Sequence, residues 1–197
     1  MITLFSAGAI VQGVLRERGW RFCFIGGVAN YRWGSPRTTN DLDLTLFTGF
    51  GEERRFAEEL LRHFRSRLAD PLAFAAQNRV LLLATADGIG IDIALGAMPF
   101  ESAAIDRSSM DELAPGVALR TCSAEDLIVH KAFASRPQDW VDVEGVILRQ
   151  RGQLQWSQIW ADLRDLAMLK EEPEILDHLE RIIERAKAVV GPFRSED

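Results

Sequence analysis

The residues best suited to chemistry are Asp41 and Asp43, two carboxylates separated by one leucine in Asp41-Leu-Asp-Leu-Thr-Leu-Phe47. In an extended strand successive side chains alternate, so acids two apart share one face. Two neighbouring carboxylates offer the hard oxygen ligands that Mg²⁺ takes together with substrate phosphates. The same pattern also suits an exposed strand with its polar side outward, and the pair alone does not choose. Upstream, Gly26-Gly27 follows the apolar run Phe22-Cys-Phe-Ile25. Glycine allows a backbone to approach a phosphate closely, and a helix starting there presents unbonded N–H groups; a plain turn would look the same. Downstream, Ile91-Asp92-Ile93 places a lone acid in an apolar strand. A buried carboxylate without a partner is costly, so Asp92 needs either a buried cation or a place in a metal cluster.

A second set lies toward the C-terminus. Lys131 follows Leu127 by four residues and Ile128 by three, which puts it on their inward stripe. It either snorkels to water or aims its charge at nucleotide phosphates. Asp139 and Asp142, in Arg136-Pro-Gln-Asp-Trp-Val-Asp142, share one helix face. Asp139 would complement the helix dipole; Asp142 lies a turn deeper, beside Val143 and Val146. His63, His130 and His178 stand at no ligand spacing, and Ser123 has no histidine partner. The two cysteines, Cys23 and Cys122, show no zinc spacing; Cys23 reads as a buried thiol.

These residues need elements to position them. Apolar spacing predicts a first helix over 6–18 and a buried strand over 22–25. A short helix over 28–33 and a loop over 34–40 follow. Residues 41–47 alternate as a strand, with Leu42, Leu44 and Leu46 inward. Residues 52–68 read as a charged surface helix. Residues 79–85 and 89–95 read as a hairpin around Asp87-Gly88, with Ile89, Ile91, Ile93 and Leu95 on one face and Asp92 on the other. Residues 117–121 make a further strand. From Ser123, which caps a helix together with Asp126, only helices follow: 124–134, one opened by Pro137, 154–170 and 173–189. Trp156 and Trp160 lie four apart on the third of these, as part of an apolar face. Mixed elements followed by helices alone divide the chain into a core over 1–118 and a helical region over 119–197. The fold class is α+β, a small mixed sheet flanked by helices and then a helical bundle.

Composition agrees with this. Hydrophobic residues make up 47% and charged residues 26% of the 197, enough for both a core and a soluble surface. The net charge of −6 argues against sequence-blind affinity for polyanions. No basic leader opens the sequence, and no run approaches the roughly 18 apolar residues of a membrane helix. The expectation is a cytoplasmic protein with no membrane partner.

The order of these motifs resembles the nucleotidyltransferase superfamily related to DNA polymerase beta: a glycine turn, a short helix, an Asp-x-Asp strand, and a third acid on a neighbouring strand. The helical Lys131, the Asp139-x-x-Asp142 segment and the loop Trp33-Gly-Ser-Pro-Arg-Thr-Thr39 are similar to the AbiEii/AbiGii-like branch, which includes toxins of toxin–antitoxin systems. The likeness covers about residues 20–148. It implies transfer of a nucleoside monophosphate from a nucleoside triphosphate to an acceptor hydroxyl, with Mg²⁺ or Mn²⁺ as cofactor. Asp41, Asp43 and Asp92 would be the metal ligands and, with Lys131, the catalytic set. Gly26, Gly27, Arg37, Thr39, Lys131 and Asp142 would bind the nucleotide, Lys131 and Arg37 by offsetting charge on the leaving pyrophosphate and Asp142 by orienting Lys131 or the nucleotide. The acceptor would be RNA, notably tRNA, or a small hydroxylated molecule, and a cognate antitoxin would be the partner. A silent nucleotide-binding or antitoxin-type protein is the alternative; the presence of all three acids counts against it. One departure is visible: the turn is Gly-Gly where the family often has Gly-Ser, so a phosphate-binding hydroxyl is absent, and Ser35, Arg37 and Thr39 are the residues placed to replace it.

Overall fold

The alternation in residues 41–47 leaves Leu42, Leu44 and Leu46 out of contact with water and Asp41 and Asp43 half-exposed, as expected of a strand whose sheet is covered on one face. The computed structural model describes residues 3–193. Its elements run α1 (Leu4–Glu17), β1 (Phe22–Phe24), α2 (Gly26–Trp33), β2 (Asp41–Phe47), α3 (Glu53–Leu60), β3 (Arg65–Ser66), α4 (Pro71–Asn78), β4 (Val80–Ala84), β5 (Gly90–Gly96), α5 (Pro99–Arg107), β6 (Ser109–Ala114) and β7 (Val117–Thr121), then α6 (Ala124–Ala134), α7 (Pro137–Arg149), α8 (Trp156–Lys170) and α9 (Glu174–Val190). The class is mixed α/β, as the sequence implies.

All strands join one mixed sheet in the order β3-β4-β5-β2-β1-β7-β6. At its centre β2 and β5 run parallel, pairing Asp41 with Gly90, Asp43 with Asp92 and so on to Phe47 with Gly96. β4 and β5 form the expected antiparallel hairpin, with Gly88 at positive φ in its turn.

The chain forms two compact units, and they do not follow a single cut. The first comprises Met1–Val28 and Thr38–Cys122; the second comprises Ala29–Arg37 and Ser123–Asp197. A division at residue 118 therefore omits the segment 29–37. In the first unit, Leu42, Leu44, Leu81, Leu83, Ile91 and Ile93 pack with Val11 and Leu15 of α1 and Phe56 and Leu60 of α3. In the second, α6 packs on α7 and α8, and α7 on α9, burying Leu127, Ile128, Val143, Val146, Ile159 and Leu179. Both cysteines are buried. No helix among the described residues is long and apolar enough to cross a membrane.

Several expectations are corrected. The helix predicted over 52–68 ends at Leu60, and Arg65–Ser66 pairs instead with Leu83 and Ala84 as an edge strand. The helix placed at 28–33 begins at Gly26, so the glycine pair is its first turn. α4, α5 and β6 lie outside the elements that periodicity predicts. Each carries a local signal: Asp70 accepts from the Ala73 N–H as N-cap, with Pro71 at the first helical position; Pro99 opens α5, where the Glu101 carboxylate accepts from the N–H groups of Ala97 and Met98; and Pro115-Gly116, with Gly116 at positive φ, turns β6 into β7.

Candidate active site

The candidate residues fall into two sets, one in each unit. In the first unit, β1 ends at Phe24 and the Ile25 N–H donates to the Asp43 carbonyl at 2.9 Å. This brings the glycine turn alongside the start of β2. Gly26 has φ +56, and a Cβ there would lie 2.1 Å from Asp43 Oδ2. The position thus needs glycine twice over, for its left-handed backbone and for the carboxylate resting against it. A Cβ on Gly27 would lie 2.5 Å from Thr39 Oγ1, and that hydroxyl donates to Asp41 Oδ1 at 3.2 Å. Gly26, Gly27, Thr39, Asp41 and Asp43 are therefore one packed group.

Asp92 joins them across the sheet. It is the register partner of Asp43, and partners on adjacent strands point to the same face, so Asp41, Asp43 and Asp92 share the half-exposed side. Burial lifts the Asp92 carboxyl above its ordinary value; the Arg67 guanidinium opposes this and the Asp41 charge adds to it. Arg67 is hydrogen-bonded to Asp92 Oδ1, a contact absent from the sequence reading. Among the described residues no three acidic, histidine or cysteine side chains draw together tightly enough to enclose an ion; at Asp92 the positive charge present is a guanidinium. The donor type, three carboxylates on one face, is the kind of ligand a hard divalent cation takes.

In the second unit, Lys131 is buried at 5% exposure and does not reach for water. Its Nζ lies 2.9 Å from Asp139 Oδ1 and 2.8 Å from Asp142 Oδ2. Arg37 grips Asp142 through two hydrogen bonds, Nε to Oδ1 and a terminal nitrogen to Oδ2, each 2.9 Å, the two-pronged geometry that arginine favours. Gln138 donates to Asp142 Oδ1 at 3.1 Å, and Arg136 donates to Asp139 Oδ2 at 2.6 Å. Burial pushes both carboxyls up, but the hydrogen bonds outweigh it and hold them below the usual range: Arg136 and Lys131 at Asp139, Arg37 and Lys131 at Asp142. Asp139 thus does more than face a helix dipole. Ser123 accepts from the Asp126 N–H at 3.1 Å, confirming it as a cap.

Comparison with known proteins follows the site. The fold is that of nucleotidyltransferases. An antigenic nucleotidyltransferase-like protein from Paracoccidioides brasiliensis superposes with a TM-score of 0.54 at 14% identity, over 90% of this chain and 92% of that one. The antibiotic-resistance factor ANT(2'')-Ia superposes with a TM-score of 0.51 at 17% identity, over 91% of this chain and 99% of that one. At such identities the likeness is one of fold. No curated protein matches the chain. The model of the AbiEii nucleotidyl transferase toxin family, of type IV toxin–antitoxin systems, matches residues 14–189. The chain belongs to that family, and it is a nucleotidyltransferase.

Proposed function

We propose that this nucleotidyltransferase is metal-dependent and moves a nucleoside monophosphate from a nucleoside triphosphate to an acceptor hydroxyl. The observation that carries this reading is the placement of Asp41, Asp43 and Asp92 on one face of the paired strands β2 and β5, with Gly26 seated against Asp43. Asp41 and Asp43 would hold Mg²⁺ or Mn²⁺, and Asp92 would share a second ion. When bound, such ions stabilise charge on the attacking and leaving oxygens. The N–H groups of Gly26 and Gly27, at the start of α2, bind the β- and γ-phosphates. Thr39, whose hydroxyl packs against Gly27, stands closest to the hydroxyl that the Gly-Gly turn lacks. Asp92, its carboxyl raised above its ordinary value by burial, accepts the proton of the acceptor hydroxyl. The hydroxyl oxygen then bonds to the α-phosphorus, the bond to the bridging oxygen breaks, and pyrophosphate leaves. Balancing phosphate charge with Lys131 and Arg37 requires each to share or leave Asp142, since both are bound to it here.

The acceptor we assign is RNA, with tRNA first, because the family is one of toxins; its natural partner is a cognate antitoxin. A small hydroxylated acceptor is the second reading. It is favoured by the net charge of −6, which repels a polyanion, and by the fold shared with an antibiotic-resistance factor. The test offers each α-labelled nucleoside triphosphate with Mg²⁺ to total RNA, cell protein and aminoglycosides in turn. Label in an RNA band supports the first reading, and label in an aminoglycoside the second. Nucleotide binding with no transfer to any acceptor would leave a silent binding module and overturn both.

A further inference from the structure

The first unit carries a cavity that the carboxylate face does not use. It has a volume of about 450 Å³, and its lining includes Arg16, Trp20, Arg21, Asp106, Met110 and Arg120. It lies at the far end of β2 from the acids: the Phe47 N–H donates to the Arg21 carbonyl at 2.9 Å, and Phe22 pairs with Leu46. The strand from Asp41 to Leu46 spans about 16 Å. Three guanidiniums converge there from three places, the end of α1, the segment ahead of β1, and β7. Arg21 is already balanced, a terminal nitrogen lying 2.7 Å from Asp106 Oδ1. Arg120 is held by neutral oxygens, the carbonyl and the hydroxyl of Ser108 at 3.1 and 3.3 Å. Arg16 is exposed, and among the described residues its side chain meets no hydrogen-bond or ion-pair partner. Among those residues, then, two of the three charges have no carboxylate, in a chain whose net charge is −6.

We propose that this cavity is a second anion site, and that its ligand is a phosphorylated nucleoside. Guanidiniums grip phosphate oxygens through paired hydrogen bonds, and Arg16 and Arg120 keep N–H groups for that purpose. The Asp106 carboxylate, 68% exposed and bound to Arg21, turns an anion away from that side and leaves Arg16 and Arg120 to face the phosphate. Beside them, half-buried Trp20 and the exposed Met110 offer the flat, apolar surface on which a base stacks. The volume falls in the range of small-molecule sites, about 300–1,000 Å³, and an inorganic phosphate would leave most of it unfilled. The phosphate belongs either to a free nucleotide or to one unit of an RNA strand, and the chemistry gripped is the same. The site calls on no metal, so it does not depend on the carboxylate face.

The test is nuclear magnetic resonance of the isotope-labelled full chain in EDTA, titrated with adenosine monophosphate. The signal read is the indole N–H of Trp20, identified among the five tryptophans by its loss in Trp20→Phe. It should shift saturably with adenosine monophosphate, and adenosine should bind about ten-fold more weakly. Arg120→Gln should weaken the nucleotide about ten-fold. Arg16→Gln should weaken it about three-fold, the scale of an exposed charge; this side chain has no partner to lose, so the variant keeps its fold. A short oligoadenylate separates the two sources. Tighter binding that salt weakens assigns the site to an RNA strand, and equal or weaker binding assigns it to a free nucleotide. No shift with either probe overturns the proposal, as does wild-type affinity in Arg16→Gln, or adenosine binding as tightly as its monophosphate. The readout needs neither ion nor turnover, so a failure here and a failure of the metal reading are told apart.

Discussion

The two acidic clusters of this chain use the same residue types to opposite ends. On the sheet face of the first unit, Asp41, Asp43 and Asp92 are half-exposed, and Asp92 holds the Arg67 guanidinium. In the helices of the second unit, Asp139 and Asp142 are 1% and 3% exposed and surrounded by Lys131, Arg37, Arg136 and Gln138. The first set keeps its carboxylates within reach of solvent, and the second is shut away from it. Burial with hydrogen-bond partners commits a cluster of acids to holding the fold, whereas half-exposed acids stay accessible to a ligand.

The comparison breaks first on activity. Asp43→Asn should lower nucleotidyl transfer about a thousand-fold or more, since the loss of a charge-stabilising ion is worth several kcal/mol, while its thermal midpoint stays near that of the wild type. If the assay finds unchanged transfer, the carboxylate face is not the reaction centre. Gly26→Ala should follow, with transfer down on the order of a hundred-fold because the displaced Asp43 loses its alignment. Stability should fall by about 1–2 kcal/mol, the cost of a side chain in the left-handed region.

Lys131→Met tests the other side. It strands two buried carboxylates, so urea unfolding should show a loss of about 3–5 kcal/mol, or roughly 10 °C in thermal midpoint for a chain of this size. A small loss would mean that Arg37 and Arg136 satisfy the acids without the lysine. The same cluster sets an acid limit. Because Asp139 and Asp142 are held below the ordinary value of 3.8, their stabilisation is present above that value and is lost as pH falls through the lower folded values. Asp92, raised in the fold, works in the opposite sense, its cost relieved as pH falls. Urea midpoints measured from pH 6 to pH 3 should therefore fall steeply below about pH 4 in the wild type, and the fall should be shallower in Lys131→Met. The smallest effect is expected at the exposed Arg54–Glu58 pair, 73% and 49% exposed: Arg54→Ala should cost about 0.5 kcal/mol or less, which sets the baseline for the buried cluster.

What the sequence conveyed, and what it did not, follows the same division between local and distant effects. The alternation of residues 41–47 and the apolar stripe carrying Lys131 are local periodicities, and both placed their residues correctly: Asp41 and Asp43 on one face, Lys131 inside. The partners were harder. The family likeness lets Asp142 orient Lys131, and the two are in contact; the contact with Asp139 is not foreseen, because nothing in the lysine's own helix states that Asp139 of the next will turn toward it. The Arg67–Asp92 contact is not legible in the sequence, because it depends on the register of three strands, β3 on β4 and β4 on β5, and register is a property of pairing. The same pairing ended the charged helix early: residues 61–66 carry helix-compatible polarity, but Arg65 and Ser66 gain more as an edge strand against Leu83 and Ala84. The short elements α4, α5 and β6 were legible in Asp70-Pro71, Pro99 and Pro115-Gly116, signals of turn chemistry too brief to show any periodicity.

The parallel pairing of β2 with β5 has a consequence for how the protein is made. Asp43 and Asp92 meet only after the intervening chain, with α3, β3, α4 and β4, has been laid down and folded back; such distant pairing is slow to form. The Lys131–Asp139 contact spans eight residues and can close as soon as its two helices exist. During synthesis, an emerging N-terminal segment carries the glycine turn and the first two acids without the third. A product truncated before Gly90 would therefore lack the strand that pairs Asp43 with Asp92.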